Sequence, residues 1–228
     1  MKRILRYFSA AELCLWSASV LLILLSFFIF DQSGYLSLAG SLVGVTSLIF
    51  CAKGHPIGMA LGIVFGIIYS IISYSFSYYG EMITYLGMSV PMSALSLVSW
   101  LRHPHKGSKA EVEVGEVHGK EYLFMGVLTI GVTVAFYFIL KVFGTANLIP
   151  STISVATSFS AVYLCARRSP YYTLCYAAND IVLIVLWVLA SLQDISYLSV
   201  VVCFAAFLAS DIYAFWNWKR IEKRQHKA

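Results

Sequence analysis

Eight apolar runs, each about 20 residues long, constrain the fold of this chain more than any other feature of its sequence. A run of that length crosses the hydrocarbon core of a bilayer as an α-helix, because lipid offers no partner to free backbone groups. The alternating segments of about ten residues that build a transmembrane barrel do not occur. The sequence therefore predicts an all-α integral membrane protein with eight transmembrane helices, at about 13–30, 34–52, 57–77, 79–101, 121–143, 147–166, 171–191 and 195–217.

Composition and the missing motifs exclude several classes of protein. Charged residues make up 12% of the 228 residues and hydrophobic residues 60%, whereas soluble domains carry about 25% charged residues. The five cysteines lie in apolar stretches without C-x-x-C spacing, so neither a disulfide framework nor a zinc site is expected. No Walker loop, H-E-x-x-H or G-x-S-x-G motif occurs. We therefore expect no ATPase, no intramembrane enzyme and no cofactor.

The basic residues predict how the chain is oriented in the membrane. With the N-terminus inside, every Lys and Arg except Lys141 falls in a cytoplasmic segment, which is 15 of 16. Positive charge concentrates in cytoplasmic loops, so this distribution favours a protein of the cytoplasmic membrane with both termini inside. The cytoplasmic set is Lys2, Arg3, Arg6, Lys53, Arg102, Lys106, Lys109, Lys120, Arg167, Arg168, Lys219, Arg220, Lys223, Arg224 and Lys227. Its spread over short loops and tails indicates membrane orientation and no nucleic-acid binding.

One long polar segment, about 102–120, separates the fourth and fifth spans. It mixes lysines and glutamates and is expected to be a flexible cytoplasmic linker. His103 and His105 flank Pro104 within it. A solvated loop is favoured over a metal site there, because no further ligands cluster nearby.

An internal repeat divides the chain. Residues 51–56 (CAKGHP) resemble residues 165–170 (CARRSP), an offset of 165 − 51 = 114. Residues 99–102 (SWLR) loosely parallel 216–219 (WNWK), shifted by about two further residues. At this offset the second to fourth spans correspond to the sixth to eighth, with the fifth as a linker. A chance similarity is the alternative.

An odd linker predicts a parallel 3+1+3 repeat, as in the SWEET class, with one extra N-terminal helix. The predicted domains are the extra helix 1–33, the first three-helix repeat 34–101, the loop and linker helix 102–146, the second repeat 147–218 and a basic tail 219–228.

Polar residues within the spans are the first candidates for a site. Asn179 and Asp180 lie near the middle of the seventh span, where a charged residue costs at least about 2.5 kcal/mol. Ligand binding and hydrogen bonding to another helix are the two interpretations. Asp180 is protonated, hydrogen-bonded or facing a positively charged substrate. Asp211 lies nearer the cytoplasmic end of the eighth span, where a structural or gating role is favoured.

Small and aromatic residues give further candidates. Gly62 and Gly66 form a stripe with Gly58 in the third span, which lets a neighbouring helix approach closely. At the repeat offset the stripe corresponds to Tyr172, Tyr176 and Asp180, so one unit presents small residues where the other presents aromatic and acidic groups. Deep aromatic side chains either pack or stack on a flat heteroaromatic ring, and these are Tyr69, Tyr74, Tyr85, Tyr176 and Trp187. Pro91 kinks the fourth span, either as a gating hinge or to fit the bundle.

The candidate residues lie within stretches that resemble the PnuC family of nicotinamide riboside transporters. The resemblance covers about 35–218 and is carried by residues 167–187 (RRSPYYTLCYAANDIVLIVLW), by Lys53-Gly54, Gly62, Gly66 and Tyr69, and by Tyr79-Gly80-Glu81-Met82 and Pro91. It implies a SWEET-like 3+1+3 fold and facilitated diffusion of a vitamin precursor, trapped afterwards by a cytosolic kinase. It also implies that Asn179 and Asp180 contact the substrate.

The chain departs from the family at one place. Tyr172, Cys175 and Tyr176 stand where family members often have tryptophans. Related transporters carry thiamine, riboflavin or deoxynucleosides, so another vitamin or nucleoside is the first alternative to nicotinamide riboside. A non-transporting membrane sensor is the second. Proton coupling through Asp180 or Asp211 and assembly into a homo-oligomer stay open.

Overall fold

A computed structural model describes residues 7–32, 34–75, 78–108, 110–145 and 147–227. Within these residues eight helices are long and apolar enough to cross a membrane, which confirms the predicted fold class. They are α1 (Ala10–Phe30), α2 (Tyr35–Ala52), α3 (Pro56–Ser75), α4 (Tyr79–Arg102), α5 (Gly119–Val142), α6 (Leu148–Ala166), α7 (Tyr172–Ser191) and α8 (Leu198–Gln225). Lys2, Arg3, Arg6 and Lys109, which enter the charge count above, lie outside the described residues.

Local sequence signals set several helix ends. Before α1, the Ser9 hydroxyl accepts the Glu12 N–H at 3.2 Å and the Ser9 N–H donates to the Glu12 carboxylate at 2.7 Å, forming a capping box. Pro56 begins α3, where its missing N–H costs nothing. Gly54 has φ +67° in the turn after α2, and Arg168, 114 residues later, has φ +58° in the turn after α6. The predicted repeat therefore extends to backbone conformation.

The extra N-terminal helix is anchored by a buried ion pair. The Glu12 carboxylate is 2% exposed and lies 3.1 Å from Nζ of Lys53 at the end of α2. The Tyr213 hydroxyl of α8 donates to the same carboxylate at 3.3 Å. Because the charge is both paired and hydrogen-bonded, α1 can pack against α2 and α8 at this point without leaving an isolated buried charge.

The distortion expected around Pro91 takes the form of a π turn. Residues 85–89 of α4 are π-helical, and the Val90 N–H donates to the Tyr85 carbonyl five residues earlier. Proline cannot donate the bond that a regular helix needs, and a π turn absorbs such a break within the helix. Pro91 itself is exposed on the outside of the bundle.

The helices pack as two three-helix units around a shared centre. In the first unit α3 lies against α2 and α4, and in the second α7 lies against α6 and α8. The units meet where α2 packs on α8 and α4 packs on α6, while α5 lies on α6. This is the neighbour pattern that a 3+1+3 arrangement predicts.

Equivalent hydrogen bonds join the two units at one end of the bundle. The Trp100 indole N–H donates to the Cys165 carbonyl at 2.9 Å, and the Trp218 indole N–H donates to the Cys51 carbonyl at 2.9 Å. The two indole rings pack with their centroids 5.4 Å apart. Since the C-terminal regions of α2, α4, α6 and α8 all meet here, these helices run in one direction. The two units therefore share one orientation, as a parallel repeat requires.

A second pair of bonds revises the alignment of the repeat. The Ser99 hydroxyl donates to the Ala166 carbonyl at 2.7 Å, and the Asn217 amide donates to the Ala52 carbonyl at 2.8 Å. The sequence comparison aligned Ser99 with Trp216, but these bonds make Asn217 its counterpart, at an offset of 217 − 99 = 118. The offset is larger than 114 because the second unit has four more residues between the end of its first helix and the end of its third.

The segment 110–117 is bonded to both units and is not the free linker that its polar composition suggested. The Val112 N–H donates to the Gly54 carbonyl at 3.0 Å, and the Gly115 N–H donates to the Arg168 carbonyl at 3.1 Å. Gly54 and Arg168 are equivalent in the repeat, so the segment contacts the same turn twice. Val112 is 1% exposed and packs on the paired indole rings. We call residues 110–117 the strap, and this side of the bundle the strap end.

Candidate functional site

A cavity lies between the two units, about halfway along the helices. Its walls come from α2, α3, α4, α6, α7 and α8, so each unit supplies three helices. Eight of the residues singled out from the sequence line it: Gly62, Gly66, Tyr85, Tyr172, Tyr176, Asn179, Asp180 and Asp211. Tyr69, Trp187 and Pro91 do not line it. Helices α1 and α5 contribute no residue to its wall.

Asn179 is held by the hydroxyl groups of α6. Its side chain is 2% exposed, and its Oδ1 lies 2.8 Å from the Thr157 hydroxyl, 3.0 Å from the Ser158 hydroxyl and 3.2 Å from the Ser154 hydroxyl. Nδ2 of Asn179 makes no hydrogen bond with any described residue. The amide therefore has its oxygen engaged by the protein and its two N–H donors unused.

Asp180 and Asp211 form a carboxyl pair in the cavity wall. They are 4% and 3% exposed, and both line the same cavity. Oδ2 of Asp180 is fully buried and receives no hydrogen bond from a donor group of any described residue. Two buried carboxyl groups in one cavity wall favour a ligand that brings positive charge or hydrogen-bond donors.

No described residue lining the cavity is a lysine, arginine or histidine. The other titratable groups in the wall are hydroxyls and a thiol, from Tyr85, Tyr172, Tyr176 and Cys51. These groups are uncharged near neutral pH at their ordinary pKa values. The cavity consequently has an acidic character that no cation in its wall offsets.

Tyr69 and Trp187 close the cavity at the end opposite the strap. The Trp187 indole N–H donates to the Tyr69 hydroxyl at 2.7 Å, and both side chains are 2% exposed or less. The Tyr69 ring lies 4.5 Å from the Tyr85 ring, which belongs to the cavity wall, and Tyr78 lies 5.0 Å from Trp187. The predicted stacking residues Tyr69 and Trp187 thus form a second layer behind the cavity.

Aromatic rings also close the cavity at the strap end. The Tyr172 hydroxyl donates to the Cys51 carbonyl at 3.3 Å, and its ring lies 5.3 Å from that of Trp218. The paired indoles of Trp100 and Trp218 lie immediately beyond. Aromatic side chains therefore lie next to the cavity at both of its ends.

The glycine stripe serves both packing and the cavity wall. A Cβ at Gly58 would lie 2.5 Å from the Cys51 sulfur, so this glycine permits α2 and α3 to meet. A Cβ at Gly66 would lie 2.8 Å from Val90, whereas one at Gly62 would lie 3.3 Å from the Ser47 hydroxyl. Gly62 and Gly66 thus leave space in the cavity wall, and their counterparts in the repeat, Tyr176 and Asp180, line the same cavity.

The sequence analysis missed the hydroxyl residues of α6 and the buried carboxyl of Glu81 in α4. Ser154, Thr157 and Ser158 have the i, i+3, i+4 spacing of one helix face, which was the available signal. Glu81 is 1% exposed, and its Oε2 makes no hydrogen bond with any described residue. Serine and threonine are common in packed transmembrane helices, so the spacing alone does not show that they share a partner.

The described residues contain no group of three or more His, Cys, Asp or Glu side chains placed to hold a metal ion. His103 is exposed, and its Nδ1 lies 2.8 Å from the Ser99 carbonyl. The polar groups of the cavity are amide, carboxyl and hydroxyl groups, which can recognise a polar organic cation by charge and hydrogen bonds.

Comparison with known proteins agrees with this arrangement. Residues 34–220 match the family model described as Nicotinamide mononucleotide transporter. The Nicotinamide riboside transporter PnuC of Neisseria mucosa is 24% identical over 203 residues, which are 86% of this chain and 76% of that protein. The crystal structure described as the vitamin B3 transporter PnuC superimposes with a TM-score of 0.83 at 21% identity, covering 96% of this chain and 94% of the other. This chain therefore belongs to the PnuC family and is a multi-pass membrane transporter, not an enzyme.

Proposed function

We propose that this protein imports nicotinamide riboside across the cytoplasmic membrane by facilitated diffusion. The observation that carries the proposal is the cavity between the two units, where Asn179 offers amide donors beside two carboxyl groups and tyrosine rings. A cytosolic kinase would trap the imported riboside by phosphorylation. No ATPase motif occurs in the sequence, so the concentration gradient maintained by this trapping would drive uptake.

Charge favours the riboside over the mononucleotide named in the family description. Nicotinamide riboside carries one positive charge on its pyridinium ring and no phosphate. The carboxyl pair of Asp180 and Asp211 attracts that cation, whereas a phosphate would enter an acidic cavity with no lysine, arginine or histidine in its described wall. Burial of an unpaired anion there would be strongly unfavourable.

The aromatic wall suits a flat cationic ring. Tyr85, Tyr172 and Tyr176 face the cavity. Stacking of a pyridinium on one of these rings would add a cation–π contribution of roughly 0.5–2 kcal/mol. Together with a hydrogen bond from Asn179 to the carboxamide or ribose, this accounts for both halves of the substrate.

The same geometry favours one second candidate, thiamine. Tyrosines replace the tryptophans that are frequent in the family, so the ring that stacks here can differ. Thiamine is also a monocation, with a flat thiazolium ring that can face the acidic wall, whereas riboflavin and deoxynucleosides are neutral. The carboxyl pair thus narrows the alternatives to cationic vitamins.

Transport would follow from movement of the two units, 34–101 and 147–218, against each other around the cavity. Opening at the strap end would release substrate to the cytoplasm, in line with the positive-inside distribution of charge. The π turn in α4, next to Pro91, is placed to take up part of that movement. Whether the units work within a single chain or a homo-oligomer does not alter this scheme.

The substrate is tested with the full-length protein in sealed lipid vesicles. We expect saturable uptake of labelled nicotinamide riboside, competition by unlabelled riboside, and competition by the mononucleotide that is at least about tenfold weaker, since a buried unpaired anion is costly. Thiamine and riboflavin serve as the cationic and neutral comparison ligands. Equal competition by the mononucleotide would contradict the charge argument, and ligand-specific thermal stabilisation without uptake would indicate a sensor.

Asn179→Ala tests the residue at the centre of the site. We expect uptake to be lost while membrane insertion is retained, because the amide donors of Asn179 are the groups offered to the substrate. Insertion is checked by fluorescence-detected size-exclusion chromatography. Normal uptake by this variant would show that the substrate binds elsewhere.

A further inference from the structure

The hydroxyl groups around Asn179 are directed away from their usual partners. A buried serine hydroxyl in a helix can donate to the carbonyl four residues earlier, as Ser70 does to Gly66 and Ser210 does to Ala206. Ser154 and Ser158 make no such bond, and each donates to Oδ1 of Asn179 instead. These two residues of α6 therefore bond to one side chain of α7 and not to the carbonyl four residues earlier in their own helix.

The number of lone pairs makes this contact directional. An amide oxygen has two lone pairs, and each serine hydroxyl has a single proton to donate. Ser154 and Ser158 together fill both lone pairs of Asn179. Thr157 adds a third hydroxyl at 2.8 Å, but its proton is shared with the carbonyls of Ile153 and Ser154, both at 3.1 Å.

The reversed amide would fit the site less well. A rotation of the amide by 180° would place its oxygen toward a cavity whose wall holds two carboxyl groups, bringing acceptors together. It would also leave the two serines without their acceptor on Asn179. The arrangement found, with the oxygen toward α6, leaves Nδ2 as the group that meets the contents of the cavity.

We propose that Ser154 and Ser158 are positioning residues that lock the Asn179 amide with its N–H donors toward the cavity. The site then selects ligands that present a hydrogen-bond acceptor, such as a carboxamide or hydroxyl oxygen, beside their cationic ring. This inference rests on the proposed function, because it concerns the same cavity. It goes further because it names two hydroxyl groups that act through Asn179 and so decide which ligand groups this amide recognises.

A double-variant cycle tests the proposal. Uptake and binding of nicotinamide riboside are measured for the unaltered protein, for Ser154→Ala/Ser158→Ala, for Asn179→Ala, and for the three changes together. We expect the serine double variant to raise KM roughly tenfold with a smaller change in maximal rate, the size of one hydrogen bond. If the serines act through Asn179, adding them to Asn179→Ala has no further effect.

Ser160→Ala is the matched control on the same helix. Its hydroxyl donates to the Ala156 carbonyl at 2.9 Å and does not contact Asn179. We expect its KM and unfolding temperature to match those of the unaltered protein. A similar loss for Ser160→Ala and for Ser154→Ala/Ser158→Ala, or additive effects of the serine and asparagine changes, would overturn the positioning role.

Selectivity gives a readout that a loss of folding cannot imitate. The unaltered protein should discriminate against the 2′-deoxy or thioamide analogue of the riboside, whichever removes the acceptor facing Asn179. The serine double variant should lose that discrimination while still binding both ligands. Retained discrimination would overturn the proposal. If the unaltered protein transports only thiamine, the proposed substrate fails, and the same cycle measured with thiamine decides the positioning role separately.

Discussion

At the scale of single residues, the cavity at the centre of the molecule is notable for two acidic residues that no basic residue of its described wall offsets. Asp180 and Asp211 line one cavity, and no basic residue lines its described wall. Two buried carboxyl groups that face one cavity cannot both ionise readily. A bound monocation supplies the missing charge, which is why the pair favours cationic ligands.

Asp180→Asn should reduce preference for a charged substrate more than it reduces binding in general. The test compares nicotinamide riboside with its dihydro form, which has nearly the same shape but no positive charge. We expect the preference for the cation to fall about tenfold or more, because a nearby charge in a protein contributes several kcal/mol before desolvation. Competition for uptake in vesicles measures the ratio.

The control for this change is Asp194→Asn. Asp194 is outside the spans, and its pKa is lowered by hydrogen bonds from Ser196 rather than by any charge near the cavity. The preference for the cation should not change in this variant. An equal loss in both variants would mean that the general charge of the protein, and not the pair, sets the preference.

At the scale of helices, the two units close the cavity by matched contacts at the strap end. The indole N–H groups of Trp100 and Trp218 each cap a carbonyl at the C-terminal end of the other unit's first helix. Opening toward the cytoplasm must break these bonds. Because the two hydrogen bonds are equivalent in the repeat, the loss of either bond should weaken the closure at the strap end by a similar amount.

Trp100→Phe and Trp218→Phe should each make the strap end open more often. One hydrogen bond contributes about 0.5–1.5 kcal/mol, which corresponds to an opening equilibrium shifted by roughly two- to tenfold. Cys51 and Cys165 are buried beneath the indoles, at 4% and 1% exposure, so the rate of thiol labelling by a small maleimide reports the opening. We expect faster labelling in both variants.

Trp216→Phe provides the comparison for these changes. Trp216 is 62% exposed on the outside of α8 and takes no part in the contact between the units. Its replacement should leave the labelling rate as it is. If only one of Trp100→Phe and Trp218→Phe raised the labelling rate, the two units would not contribute equally to the closure.

At the scale of the whole molecule, the sidedness of the membrane decides which closure faces the cytoplasm. The distribution of basic residues predicts that the strap end lies inside. Lys141→Cys near the end of α5 should then react with an impermeant maleimide added to whole cells, whereas Glu116→Cys in the strap should react only after permeabilisation. The unaltered protein, with its own five cysteines, measures the background. The opposite pattern would invert the proposed direction of import.

Much of the fold could be predicted because each membrane helix is recognisable from its own short segment of sequence. The length of each apolar run, the placement of basic residues and the similarity of residues 51–56 to 165–170 are properties of short segments. They do not depend on how the helices are rotated. The expectation of a free linker at 102–120 was wrong for 110–117, because hydrogen bonds to two distant turns cannot be read from polar composition.

The sequence alone determined that this chain crosses the membrane eight times, that it consists of two similar units, and that Asn179, Asp180 and Asp211 are exceptional within apolar spans. Only the tertiary structure decided that these three line one cavity, that Tyr69 and Trp187 lie behind its wall, and that Ser154 and Ser158 hold Asn179. The physical reason is that the sequence does not fix how each helix is rotated about its own axis. Which face turns inward depends on packing against neighbouring helices, and an almost wholly apolar helix has little hydrophobic periodicity from which that face could be predicted.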